Sequence, residues 1–209
     1  VKLGVEKYKK MIVGLDEDIN DPEKEEKQKK INEKIQKEND SKIVQNDATG
    51  EWKQYFSGNK EKLLTYGNGK AEIIDYGVFD LENNIQTVIN NESEYIIKMK
   101  VKFNEDIEEP IFALSIKDIK GLELAGANTK VYETKTGTYK KGDIATVEFQ
   151  QAVPLNPDRY TLSFGCTKFT KNGDLEVFDR KYDAIFLEIL GHRDCLGLLD
   201  LKTEIHIER

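Results

Sequence analysis

His192 and His206 are the only imidazoles in this 209-residue chain, so histidine-based acid–base chemistry has few places to sit. His206 falls on the polar side of an alternating run and reads as exposed. His192 and Cys195 form an H-x-x-C pair of the kind that supplies two zinc ligands, but no second pair at metal-like spacing accompanies it. No metal is therefore expected. Gly69-Lys70 looks like the end of a phosphate loop. Position 64, however, is Leu64 rather than glycine, and Ala71 stands where Ser or Thr would be needed. No Gly-x-Ser-x-Gly elbow occurs. The 39 Asp and Glu residues leave room for a glycosidase carboxylate pair, yet a charged surface explains them more simply. No catalytic residue and no cofactor are expected.

A different chemistry is written on the polar sides of alternating segments. Thr161, Ser163, Thr167 and Lys168 fall on or beside one such side, and Glu148 and Gln150 on another. Short hydroxyls, amides and a few charges are the groups that hydrogen-bond sugar hydroxyls. Aromatic rings offer flat apolar contact to the C–H face of a sugar. Trp52, Tyr55, Tyr76, Tyr139 and Tyr182 are candidates, with Tyr76 and Tyr182 set beside the polar residues in the expected site. These polar side chains are expected to be exposed, so that replacing Thr161, Ser163 and Lys168 by alanine should barely change stability.

The elements that must carry them are strands. Tyr95, Ile97, Met99, Val101 and Phe103 alternate with Lys98, Lys100 and Lys102, the period-2 pattern of a half-buried strand. Phe112, Leu114 and Ile116 alternate next. Ala145, Val147 and Phe149 alternate with Thr146, Glu148 and Gln150, and Tyr160, Leu162, Phe164 and Cys166 with Thr161, Ser163 and Gly165. Ala184 to Ile189 is nearly continuous and apolar, as in a central strand. Leu199 to Ile207 alternates strictly. Polar turn signals such as Lys141-Gly142-Asp143 and Lys171-Asn172-Gly173-Asp174 separate the runs. Six to nine strands without long intervening helices predict an all-β, antiparallel sandwich.

The N-terminal side differs in kind. Residues 1–15 carry Leu3, Tyr8, Met11, Ile12 and Leu15 near helical spacing. Residues 16–50 are dominated by Asp, Glu, Lys, Asn and Gln and read as a charged linker, helical in part. The sandwich is expected over 51–209. The chain opens on Val1, which suggests a piece of a longer protein. A net charge of -7 argues against a general affinity for nucleic acid. Cys166 and Cys195 read as two reduced thiols, and no apolar run approaches the ~20 residues that span a bilayer.

Five short motifs occur in order. Gly67-Asn68-Gly69-Lys70-Ala71-Glu72-Ile73 opens the first long strand. Gly126-Ala127-Asn128-Thr129 follows the strand at Pro110 to Ile116. Leu155 to Ser163 reads LNPDRYTLS, then come Tyr182-Asp183-Ala184 with Phe186, and finally Gly197-Leu198-Leu199. In this order they resemble the C-terminal domain of Wzt-type ATPase subunits, which export O-antigen, and of their teichoic-acid relatives. The resemblance spans roughly Thr65 to Arg209. Asp158 departs from it, standing where glycine is usual. Gly4-Val5-Glu6-Lys7-Tyr8 resembles the tail of the ATPase domain.

The resemblance implies an immunoglobulin-like sandwich that recognises the exported polysaccharide or its modified terminus. It implies a place on the cytoplasmic side of a membrane transporter, joined to the membrane subunit through an ATPase domain. It also implies a homodimer, with Leu199 to Ile207 exchanged between protomers. Two other readings stand beside it: an interaction module that dimerises the ATPase without binding glycan, and a glycoside-active enzyme.

Overall fold

The computed structural model of the protein describes residues 26, 29–30, 33–34, 52–56, 63–152, 155–191, 197–199 and 206–207. Among these, a 3-10 turn, Trp52–Tyr55, precedes eleven strands: β1 (Thr65–Tyr66), β2 (Ala71–Phe79), β3 (Val88–Asn90), β4 (Glu94–Phe103), β5 (Ile107–Glu108), β6 (Ile111–Asp118), β7 (Glu123–Asn128), β8 (Thr138–Tyr139), β9 (Ile144–Ala152), β10 (Asp158–Phe169) and β11 (Leu175–Leu190). The larger sheet runs β1-β11-β10-β6-β7, with β3 also on β11. The smaller runs β2-β4-β9, and β5 pairs with β8. The sheets are antiparallel as expected, with one short parallel pairing, β3 with β11.

The alternation read from the sequence supplies the core. Ile97, Met99, Val101 and Phe103 of β4 and Phe112, Leu114 and Ile116 of β6 are buried, as are Leu162, Phe164 and Cys166 of β10. Cys166 is unpaired and sits wholly inside. Burial, then the charge of Asp179, pushes its thiol up to about 12, so it behaves as a small core hydrophobe. Cys195 and His192 lie outside the described residues.

Two of the motifs are structural. Gly67 has φ +155°, and a Cβ there would lie 2.2 Å from the carbonyl oxygen of Phe178. Glycine is therefore what lets β1 run against β11 before the chain crosses to Ala71, which is completely buried. Lys70, the lysine of the loop-like Gly-Lys pair, is tied to Glu176 at 2.9 Å and Glu105 at 3.8 Å. Tyr160 is buried and its hydroxyl donates to the carbonyl of Asn156 at 2.7 Å. That is the tyrosine-corner bond of immunoglobulin-like sandwiches, and it fixes the entry into β10.

Residues 52–56 pack against the smaller sheet at β2 and β4. The buried carboxylate of Asp75 accepts the backbone N–H groups of Trp52 at 3.1 Å and Lys53 at 2.9 Å. Trp52 packs edge-on against Phe79 at 5.1 Å, and the Lys100 ammonium lies 3.9 Å from the Trp52 ring centre. Trp52 is the only tryptophan in the sequence, so its emission reports this docking. Asp75→Ala is expected to shift that emission to the red and to cost about 2–3 kcal/mol, because two backbone donors lose a charged acceptor. An unchanged emission maximum in the folded variant would show that Asp75 does not hold the segment.

Of the charged linker, residues 26, 29–30 and 33–34 are described; they are helical and exposed, and Glu26 and Lys30 pair one turn apart at 2.7 Å. The expected N-terminal helix, residues 1–15, lies outside the described residues. So does most of the expected strand Leu199 to Ile207. Leu199 bridges antiparallel to Leu155, and His206 and Ile207 are exposed and outside any strand.

Candidate functional site

β10 lies between β11 and β6. One side faces the core, and the other carries Thr161, Ser163, Gly165 and Thr167. The register sets Ser163 opposite Ser115 and Gly165 opposite Ala113 on β6. On the next strand Gly126 lies opposite Ser115 and Asn128 opposite Ala113. Small side chains on three neighbouring strands make a depression. On the β11 side the register jumps between Leu162 and Phe164, so that Tyr182, Asp183 and Ala184 oppose a single residue of β10. Asp183 sits at φ +50° in this bulge. Bulges of this kind re-aim side chains, and here Arg180 and Tyr182 border the depression.

The result is an open groove of about 340 Å³. Its floor includes Ala113, Ser115, Gly126, Ser163 and Gly165, and Lys117, Glu123, Asn128, Arg180 and Tyr182 form its rim. Arg180 donates to the Tyr182 hydroxyl at 3.4 Å, and the Lys117 ammonium stands 5.3 Å from the Tyr182 ring centre. An amphipathic ring, an amide, two cations and the Glu123 carboxylate around a floor without bulky side chains can bind a polar ligand with an apolar face.

The expected site residues divide among five places. Ser163 and Tyr182 line the groove. Thr161 and Ser163, expected to be exposed, are buried. The Thr161 hydroxyl donates to the Asp183 carboxylate at 2.8 Å, and the Ser163 hydroxyl accepts the Asp183 backbone N–H at 3.0 Å. These hydroxyls clamp the β11 bulge, so removing either should cost about 1 kcal/mol rather than nothing. Thr167 is buried as well, and Lys168 lines a separate hollow at the end of the sheet. Tyr76 lies in the core, stacked on Phe164 at 5.3 Å.

Glu148 and Gln150 are on the outward side of the other sheet, where Glu148 pairs with Lys98 at 2.7 Å and Gln150 faces Glu94. Among the other aromatics, Tyr139 stacks on Phe103 at 4.2 Å, and Trp52 and Tyr55 pack against the core from outside. Arg180, Lys117, Asn128 and Gly165 were missed. Arg180 had a signal, two residues before Tyr182 and on its side of the strand. Lys117 and Gly165 become neighbours only through the register of β6 with β10.

The β-sandwich thus carries a polar groove on one outward sheet face. A family model, the Wzt C-terminal domain, matches residues 63–201. The chain belongs to the Wzt C-terminal domain family, and so to the domains of polysaccharide ABC-transporter subunits rather than to their ATPase domains. A crystal structure of the C-terminal domain of Wzt is similar at TM-score 0.66 and 28% identity, over 71% of this chain and 90% of that one. A Listeria innocua β-glucosidase in complex with glucose aligns at TM-score 0.31 and 12% identity, over 61% of this chain and 16% of that one. The CARDB domain of the PF1109 protein from Pyrococcus furiosus aligns at 0.29 and 12%, over 58% and 97%. No curated protein matches the chain. Among the described residues no helix is long and apolar enough to cross a membrane.

Proposed function

We propose that the sandwich recognises the exported glycan, or its modified terminus, in the groove bordered by Arg180 and Tyr182, and so couples polymer recognition to export. One observation carries this reading: Gly126 and Asn128, Ser163, and Tyr182 belong to three separate sequence motifs and converge on this one concavity. In this reading residues 1–15 are the tail of an ATPase domain and 16–50 a linker. The sandwich over 51–209 works on the cytoplasmic side of the membrane subunit, in an O-antigen or teichoic-acid type of system. The domain itself performs no catalysis.

The test is a glycan array probed with the full 209-residue chain and with Tyr182→Ala. The wild type should bind a defined subset of glycans without releasing products, and the variant should bind them about tenfold more weakly, a loss of about 1.4 kcal/mol. Equal binding by both proteins would remove the groove from the account, and product release would favour the enzyme reading.

A homodimer with exchanged C-terminal strands accompanies this proposal. Its support is that Leu199, which bridges to Leu155, is 42% exposed and Ile207 83% exposed in the single chain. Exchange of a terminal element is a low-cost route to a dimer. Light scattering at micromolar concentration should report a dimer for 1–209 and a monomer for a chain ending at Gly197. A monomeric full-length chain would refute the exchange.

A further inference from the structure

We infer that a second subsite, specific for an anionic group on the same glycan, lies at the end of the large sheet next to the groove. This inference rests on the glycan-binding reading above. The hollow there, about 340 Å³, is bordered by Lys130, Lys135 and Lys168, with Thr129, Thr136 and Phe169 among its other walls. It adjoins the groove. Thr129 follows the groove residue Asn128, and the Ile111–Thr167 pair lies two residues along the strands from the Ala113–Gly165 pair of the groove floor. Two residues of strand are about 7 Å, within the reach of one polymer chain crossing both.

The charges in the hollow are available to a ligand. Several cations elsewhere are paired with carboxylates: Lys70 with Glu176, Lys98 with Glu148, Lys140 with Asp106, Lys181 with Asp179. Among the described residues, Lys130, Lys135 and Lys168 are in no such pair, although Lys168 stands opposite Glu176 on β11 and, behind Lys70, helps hold that carboxyl below its ordinary range. Lys130 is held instead by a neutral partner, its ammonium 3.8 Å from the Phe169 ring centre, so it is positioned without being neutralised. Glu109 and Glu133 also line the hollow, which leaves three cations against two carboxylates in a chain whose net charge is -7.

The backbone presenting these lysines is fixed by its own bonds. The Asn128 side chain accepts the Val131 N–H at 2.8 Å, and the Thr134 N–H donates to the Thr129 carbonyl at 2.8 Å. Glu109 and Glu133 are both held at positive φ, 49° and 51°, a conformation that non-glycine residues adopt rarely and that accompanies binding loops. A cluster of ammonium groups with a surplus of positive charge binds a carboxylate or a phosphate, two of the anions that glycans carry.

Binding of polygalacturonate (carboxylate), poly(glycerol phosphate) (phosphate) and dextran (neutral), matched in length, should be measured by titration of the 209-residue chain at low and high salt. At low salt at least one of the two anionic polymers should bind about tenfold or more tighter than dextran, and salt should erase the difference. Which of the two binds identifies the anion. Lys130→Ala/Lys135→Ala/Lys168→Ala should lose about tenfold toward that polymer, the scale of three partly screened ion contacts. The same three positions changed to Arg should retain it, as should a control with equal charge loss elsewhere, Lys29→Ala/Lys102→Ala/Lys141→Ala.

The subsite is overturned if neither anionic polymer outbinds dextran, if the alanine triple binds like the wild type, or if the control triple loses as much. Failure of the groove reading would look different: anionic polymer binding that depends on the three lysines but is indifferent to Tyr182→Ala.

Discussion

Asp179→Ala is expected to lower folding stability by about 3–5 kcal/mol, the cost of breaking a buried ion pair by removing one partner. Asp179 is 4% exposed. One of its carboxylate oxygens accepts the Ile73 N–H at 2.8 Å and stands 3.2 Å from the Lys181 ammonium. Ile73 is in β2 and Asp179 in β11, so this carboxylate joins the two sheets where the chain passes from one to the other. Alanine would leave a buried backbone donor and a largely buried ammonium unpaired. Urea unfolding should show a lower midpoint at unchanged slope.

Asp179→Ala/Lys181→Met should lose less than the sum of the two single changes, because the stranded charge disappears while only the Ile73 donor remains unmet. A cost under about 1 kcal/mol for Asp179→Ala, or strict additivity in the double variant, would show that the seam depends on packing alone.

Gly165→Leu should abolish most glycan binding, by about a hundredfold or 2.7 kcal/mol, with little change in thermal stability. A Cβ at Gly165 would meet Ala113 Cβ and Arg180 Cγ at 3.7 Å, ordinary contact distances, so the strand accepts a side chain there. That side chain points away from the core into the groove floor. Glycine in a strand interior also weakens it slightly, which favours the variant's stability. Gly165→Ala, filling less of the floor, should cost only severalfold. Wild-type binding by a folded Gly165→Leu protein would mean that the ligand does not enter the groove.

Much of the framework was legible because period 2 is a local signal. The buried sides of β4, β6 and β10 are those the alternation assigned. What the alternation could not supply was the state of the other side. Thr161 and Ser163 alternate as solvent-facing residues do, yet they are buried, because a bulge twenty residues downstream in β11 folds over them and takes up their hydroxyls. Tyr76 is adjacent to Asp75, whose carboxylate turns outward to the 52–56 segment, while the Tyr76 ring lies against Phe164 inside. The β2 bulge between Ile73 and Asp75 breaks the alternation there. In each case the deciding partner is remote in sequence, and register, not composition, brings it in.

The docking of residues 52–56 has a mechanical consequence. Tension arriving from the N-terminal side reaches the sandwich at Trp52 and Lys53, whose backbone N–H groups are bonded to Asp75 in the middle of β2. The load therefore enters β2 in its interior rather than at its start, Ala71. It is applied at a point where β2 is already zipped to β4 on both sides, between the Ile73–Val101 and Tyr76–Met99 pairs. A pull there shears several ladder bonds together instead of peeling them from the end one at a time, so the anchor at Asp75 makes the sandwich a stiff recipient of whatever motion the preceding segment transmits.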